Sequence, residues 1–396
     1  MHGAGVAFAA ASGYGPAFMT PDQFRVALFS GNYNYTRDGA NQTLNRLVGH
    51  LLDRGVAVRV YSPTSSTPAF PPVGDLVDVP AIPLPFRADY KLARGLPAKV
   101  RADLEAFAPN IVHVSAPEFL GHSAVRWARE NGVASLASVH TRFETYPAYY
   151  GLGFLEPAII RLLTRFYNKF DRIVAPSPSM IALLRGWGVT PPMSIWSRGI
   201  DHDRFQPSKR SLEWRRSLGI ADGEVAIGFL GRLVKEKGLD VFAEVLAVLR
   251  RRGVPHKVLV VGKGPAEDWF AKATPDAIFA GYQTGNDLGR AVASMDIFFN
   301  PSVTETFGNV TTEAMAAGVP VVAANATGAM DLVAHGETGY LVEARDIGGY
   351  ADALERIATD PALRRRFSVA GHARVADYRW DKVNDAVLDA YRAMVA

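Results

Sequence analysis

A chain of 396 residues with no cysteine, close to half apolar and about a fifth charged, excludes a disulfide-built module, a thiolate metal site and a disordered polyelectrolyte. It is too long for one ordinary core and calls for two domains at the usual ~100–200 residues each. The formal net charge is only +4, but the first half carries a net positive excess and the second a small negative one, a bias that fits an anionic surface or ligand and fits uneven solvated charge equally well.

Residues 1–23 are small and apolar without a basic leading region and read as a loose tail, with Met19 as a candidate start. No stretch reaches ~18 consecutive apolar residues, so no membrane span is expected. Beyond the tail, short β-branched runs alternate with stretches of helical period, the pattern of βαβ units whose parallel sheets are covered on both faces. Strands are expected at 25–30, 56–62, 111–114, 134–140 and 172–176, and a second set at 225–231, 257–262, 277–281, 296–300 and 319–324. Helices are expected at 41–53, 122–131, 239–252, 309–317 and 348–358. Pro191, Pro192, Gly199 and Pro207 mark 190–210 as a linker. The expected fold is α/β, with doubly wound Rossmann-like domains at 24–199 and 200–378 and a closing helix over 379–396 that returns to the first. Ligands of such sheets bind beyond the carboxyl ends of the strands, which places the chemistry in the cleft between the domains.

Two constellations stand at strand ends of the second domain. Gly231-Arg232-Leu233-Val234-Lys235-Glu236-Lys237-Gly238 joins a strand to a helix, so that Arg232 and Lys237 hang where planar and compact cations suit a diphosphate. Taken alone, such a loop is also what a solvated surface looks like. The run Pro301-Ser302-Val303-Thr304-Glu305-Thr306-Phe307-Gly308-Asn309 ends another strand and opens a helix that carries Glu313 one turn in. Free amides at that helix start favour an anion, and the two carboxylates can accept hydrogen bonds from sugar hydroxyls. A helix-surface charge and a dipole-favouring acid would account for them as well.

The Arg232…Lys237 pair, followed by Glu305, seven residues and Glu313, resembles the retaining glycosyltransferases of the GT-B fold, family 4 type. Gly262-Lys263-Gly264-Pro265, Gly281-Tyr282, the run 314–323 and the run 336–342 support the resemblance, which covers about 24–380. By that resemblance Arg232 and Lys237 neutralise the donor diphosphate, Glu305 contacts the transferred sugar and Glu313 holds the ribose. The amides near Phe307, Gly308 and Asn309 meet sugar and phosphate, and Gly262, Gly281 and Tyr282 border the donor. In the first half, Gly31 and the Arg37-Asp38-Gly39-Ala40-Asn41 loop approach the donor, and His140 hydrogen-bonds the transferred sugar. The family often has a double glycine where this chain has Gly39-Ala40.

The resemblance implies a UDP- or GDP-sugar donor, no cofactor, no required metal and retention of configuration by front-face attack. The segment Pro83-Leu84-Pro85-Phe86 to Tyr90-Lys91-Leu92-Ala93 looks most like the sulfoquinovosyl- and mannosyltransferases that act on diacylglycerol. Tyr90 is a candidate acceptor contact and Arg142 a candidate for an anionic sugar, though a surface arginine explains the latter too. Arg161, Arg165, Lys169 and Arg172 alternate with apolar residues at near-helical spacing, as an interfacial helix does and as an ordinary surface helix does. The expectation is a cytoplasmic enzyme held peripherally at the inner face of the cell membrane, with an anionic lipid surface and a lipid acceptor as partners and no nucleic acid. A glycan-building transferase is the alternative within this chemistry, and a sugar-nucleotide epimerase or a non-catalytic nucleotide-sugar-binding protein is the alternative outside it.

Overall fold

The computed structural model describes residues 19–36, 39–84 and 87–395, with the main chain alone at 84, 87–90 and 150. The tail over 1–18, and Arg37, Asp38, Pro85 and Phe86 of the segments above, lie outside the described residues, as does the side chain of Tyr90. In chain order the first domain carries β1 (Arg25–Phe29), α1 (Gly39–Asp53), β2 (Ala57–Ser62), β3 (Asp75–Asp78), β4 (Ala81–Leu84), β5 (Arg87–Ala93), α2 (Ala98–Phe107), β6 (Ile111–Val114), α3 (Phe119–Glu130) and β7 (Ala134–Ser138). Two 3-10 segments (Phe143–Tyr150 and Gly153–Leu155) lead into α4 (Glu156–Tyr167), β8 (Arg172–Ala175), α5 (Pro178–Gly186) and β9 (Met193–Ile195). The second domain runs α6 (Leu212–Ser217), β10 (Ala226–Leu230), α7 (Leu239–Arg251), β11 (Lys257–Val261), α8 (Glu267–Ala273), β12 (Ala277–Gly281), α9 (Gly285–Ala293), β13 (Ile297–Asn300) and α10 (Asn309–Ala316). It ends with β14 (Val321–Ala324), α11 (Ala329–Leu332), β15 (Gly339–Val342), α12 (Ile347–Thr359) and α13 (Pro361–Arg374), after which α14 (Trp380–Val395) follows.

Seven parallel strands form the first sheet in the order β3-β2-β1-β6-β7-β8-β9, and six form the second in the order β12-β11-β10-β13-β14-β15. Successive side chains of a strand face opposite sides, and the central strands are apolar on both. In β1, Ala27 and Phe29 enter one core while Val26 and Leu28 enter the other. In β11, Val258 and Val260 face one side, Leu259 and Val261 the other. The antiparallel hairpin β4-β5 stands apart from both sheets. Residues 19–23, placed in the tail by the sequence reading, are tied down: Met19 packs on the first domain's core and Asn110 donates to the Gln23 carbonyl at 2.7 Å.

α14 lies against α1, β7, β8 and β9, where Val387, Leu388, Ala390 and Tyr391 complete the back core of the first domain. The chain therefore crosses between domains twice, and the crossings run side by side: Ile200 N–H donates to the Tyr378 carbonyl at 2.7 Å. A Cβ at Gly199 would overlap the Trp380 ring, so glycine is what lets the two strands of the hinge touch. Among the described residues no helix is long and apolar enough to cross a membrane.

Candidate active site

Three loops of the second domain are stitched together at the carboxyl ends of β10, β11 and β12. Gly231 N–H donates to Val261 O, Leu233 N–H to Lys263 O and Gly262 N–H to Gly281 O, at 3.0, 3.1 and 2.9 Å. Gly262, at φ 140°, lies so close to Gly231 that any Cβ would overlap its carbonyl, a close approach that only glycine permits. The strand thus ends in a rigid shelf that carries Arg232 exposed and, among the described residues, without an ion pair. Tyr282, at the rim of the same shelf, is 61% exposed.

Lys237 ends a one-turn 3-10 segment and Gly238 reverses the chain at φ 70°, against the Pro301 carbonyl. Ser302 and Thr304 hydroxyls donate to the Glu236 carbonyl at 3.3 and 3.4 Å, which binds the two motifs to each other. Their side chains then meet: Lys237 Nζ and Glu305 Oε1 are 2.6 Å apart. Gly308, at φ 99°, turns the chain into α10, so the amides that begin at Asn309 open toward the Glu305 loop. Phe307 is buried beneath it against Tyr378. Glu313, one turn further, is pushed up to about 8 by burial, against a smaller downward pull from Arg204. A carboxyl held neutral there can accept hydrogen bonds from hydroxyl donors and needs no counter-ion.

The first domain closes directly on this loop. Thr306 donates its hydroxyl to the His140 carbonyl at 3.1 Å, and Ser177 donates to the Thr306 carbonyl at 3.1 Å. Ser179 N–H reaches both carboxylate oxygens of Asp331 at 3.2 Å. A Cβ at Gly39 would stand 2.9 Å from the side-chain nitrogen Nδ2 of Asn309, so the start of α1 faces the start of α10. Arg142 is already engaged: it pairs with the buried Glu144 at 2.6 Å and donates to Val303 O and Thr327 Oγ1 at 3.3 and 3.2 Å. It acts as a strap between domains in this state, a role that the neighbouring Glu144 could have suggested from the sequence.

The His140 ring is committed at both nitrogens. Arg198, which can only donate, gives a hydrogen bond to Nδ1 at 3.0 Å, so the proton sits on Nε2 and goes to Ser138 Oγ at 2.9 Å. Ser138 continues to His113 at 2.9 Å and His113 to Tyr391 at 2.7 Å. Burial, then the Arg198 charge, keep His140 well below the ordinary imidazole range, and burial pushes His113 down to about 3. Both rings are neutral in this chain. Ser177 and Asp331 were not singled out in the sequence, and Thr306 entered only as part of its run, because their roles arise only when the domains meet. Gly31 bears the carboxyl of Glu118, also missed.

Residues 37–204 match the family model described as Glycosyltransferase Family 4, and residues 224–360 the one described as Glycosyl transferases group 1. The GDP-mannose-dependent alpha-mannosyltransferase of Mycolicibacterium smegmatis is 33% identical over 379 residues, 94% of this chain and 98% of that protein. The chain belongs to glycosyltransferase family 4. The sulfoquinovosyl transferase SQD2 of Arabidopsis thaliana is 27% identical over 90% of this glycosyltransferase and 71% of its own length. Among solved structures, sucrose-phosphate synthase of Thermosynechococcus elongatus gives a TM-score of 0.75 at 20% identity, covering 94% of this chain and 99% of that one. Anabaena HepE with UDP-glucose gives 0.72 at 18%, covering 94% and 100%. At such identities the likeness is one of fold, and that fold is GT-B, with two parallel Rossmann-like sheets. The family makes the protein a hexosyltransferase, and the epimerase and binding-protein alternatives give way to it.

Proposed function

We propose that this glycosyltransferase moves a mannosyl group from GDP-mannose to a hydroxyl of a membrane lipid such as diacylglycerol, with retention of configuration and without a divalent metal. The observation that carries the reading is the 2.6 Å Lys237–Glu305 pair beside the opening amides of α10. A diphosphate between Arg232, Lys237 and those amides meets fixed positive charge as its own negative charge grows on leaving, the strongest single contribution such sites make. Glu305 is then beside the sugar and Glu313 beside the ribose. GDP-mannose is favoured by the mannosyltransferase relative at 33% identity, and a lipid by the resemblance of the segment 83–93 to transferases that act on diacylglycerol.

A membrane face supports the lipid reading. Phe154 is 75% and Leu162, on α4, 62% exposed, and Leu152 and Leu155 flank Phe154 in the chain and are exposed too. Past the other end of α4, Lys169 lines a pocket of ≈ 220 Å³ with His122, Arg126, Arg129 and Glu130 of α3. Exposed apolar side chains at one end of α4 and cations at the other suit an anionic bilayer surface. The test is product mass spectrometry with GDP-mannose and UDP-sugars, with and without diacylglycerol vesicles, in EDTA. A mannosyl lipid formed in EDTA is expected. A UDP-sugar product replaces the donor assignment, a product formed only on an added glycan replaces the acceptor, and a product formed only without EDTA removes metal independence.

A further inference from the structure

Glu118 stands in the loop between β6 and α3. In the sheet, β6 lies between β1 and β7. The loops after β1, β7 and β8 are those that reach the donor domain, at Asn309 and Thr306. The loop after β6 therefore occupies the middle of the cleft edge, where ligands of doubly wound sheets bind.

The Glu118 side chain does nothing there that a structural residue does. It occupies the N-cap position of α3 yet makes no capping hydrogen bond, although a carboxylate at an N-cap ordinarily accepts one from the first turn. It lies instead on Gly31, where a Cβ would overlap both carboxyl oxygens. Its Oε2 is buried without a hydrogen-bond partner among the described residues. Among the described residues no cation offsets it, and burial pushes the group up to about 7. Buried polar atoms are nearly always paired, and an exception in a cleft marks a place where a ligand supplies the missing partner.

We infer that Glu118 is the residue of the first domain that receives the acceptor: its carboxyl takes the hydrogen bond of the hydroxyl to be glycosylated and holds that oxygen toward the anomeric carbon of the donor. The acceptor oxygen bonds to the anomeric carbon as the bond from that carbon to the diphosphate oxygen breaks. The hydroxyl proton passes to the departing phosphate oxygen, and Glu118 ends the cycle unchanged. Gly31 belongs to the same subsite, because any side chain there would displace the carboxyl. The inference rests on glycosyl transfer and on the retaining route above, and holds whether the acceptor is lipid or glycan.

The experiment uses the full chain and the variants Glu118→Gln, Glu118→Ala and Gly31→Ala, with GDP-mannose or UDP-glucose as donor and diacylglycerol vesicles or methyl α-mannoside as acceptor. Acceptor kcat/KM is expected to fall about 10- to 100-fold in all three, the cost of leaving a buried hydrogen-bonding group without its partner, with GDP affinity kept within about twofold in the two Glu118 variants. The Tm of Glu118→Gln is expected to hold or rise, since an unpaired buried carboxyl is a cost to the folded state. Acceptor kcat/KM within about twofold of wild type in Glu118→Ala overturns the proposal, and so does a Tm lowered by several degrees in Glu118→Gln. If wild type glycosylates neither acceptor, the acceptor reading of the preceding section fails, and the melting temperature decides on Glu118: lowered overturns it, raised supports it.

Discussion

Lys237 and Glu305 neutralise one another at 2.6 Å, so a donor diphosphate that pairs with the lysine competes with that carboxylate. Truncating the lysine removes one preplaced charge from the leaving group and leaves a carboxylate facing it. Lys237→Ala is expected to lower kcat by about 10²–10³-fold with an unchanged circular dichroism spectrum, and turnover within tenfold of wild type would remove the diphosphate assignment. Glu118 and Glu313 carry a second consequence. Burial raises them to about 7 and about 8 from an ordinary 4.5, so the folded protein prefers their neutral forms. Their contribution to stability is complete below about pH 4.5 and is lost as pH rises through 7 and 8. The ligand-free Tm is expected to decline between about pH 5 and 8, and Glu313→Gln to flatten that decline; an equal slope in the variant would show that Glu313 does not titrate there.

At the level of elements, what could be read in advance follows burial. The strands β1, β6, β10 and β11 are covered on both faces, so their β-branched runs announce them, and expected bounds fall within one or two residues of the observed ones. The edge strands β3 and β9 have half-exposed sequences, DLVD and MSI, with no apolar run to reveal them, and the β4-β5 hairpin contains Pro83, which masks a strand. The donor loops were legible because Arg232, Lys237, Glu305 and Glu313 lie within two short motifs. The acceptor side was not: what distinguishes Glu118 is a missing partner, and the engagement of His140 depends on β6, β7 and the hinge coming together. α4 shows the same limit. Its period suited an interfacial helix and a surface helix alike, and the structure buries Leu163, Phe166 and Tyr167 while leaving Leu162 out. If that face meets a bilayer, Phe154→Asp with Leu162→Asp is expected to abolish sedimentation with anionic vesicles at low salt while leaving GDP affinity intact; unchanged sedimentation would remove the membrane claim.

Across the whole molecule, the buried line Tyr391–His113–Ser138–His140–Arg198 joins α14 to the cleft through the centre of the first sheet. Tyr391→Phe leaves His113 short of a partner in a dry interior and is expected to cost about 1–3 kcal/mol, read as a lower denaturation midpoint at unchanged slope. An unaltered midpoint would mean that α14 is held by its apolar contacts alone.

The paired crossings at Gly199–Ile200 and Tyr378–Trp380 also bear on the order in which the molecule comes into being. Domains of a growing polypeptide ordinarily mature in the order they are translated. Here the ribosome has made the entire donor half before it makes the 16 residues of α14 that seal the back of the first sheet. The half translated first is therefore the half finished last, and until then it waits with an open apolar flank beside a neighbour already complete.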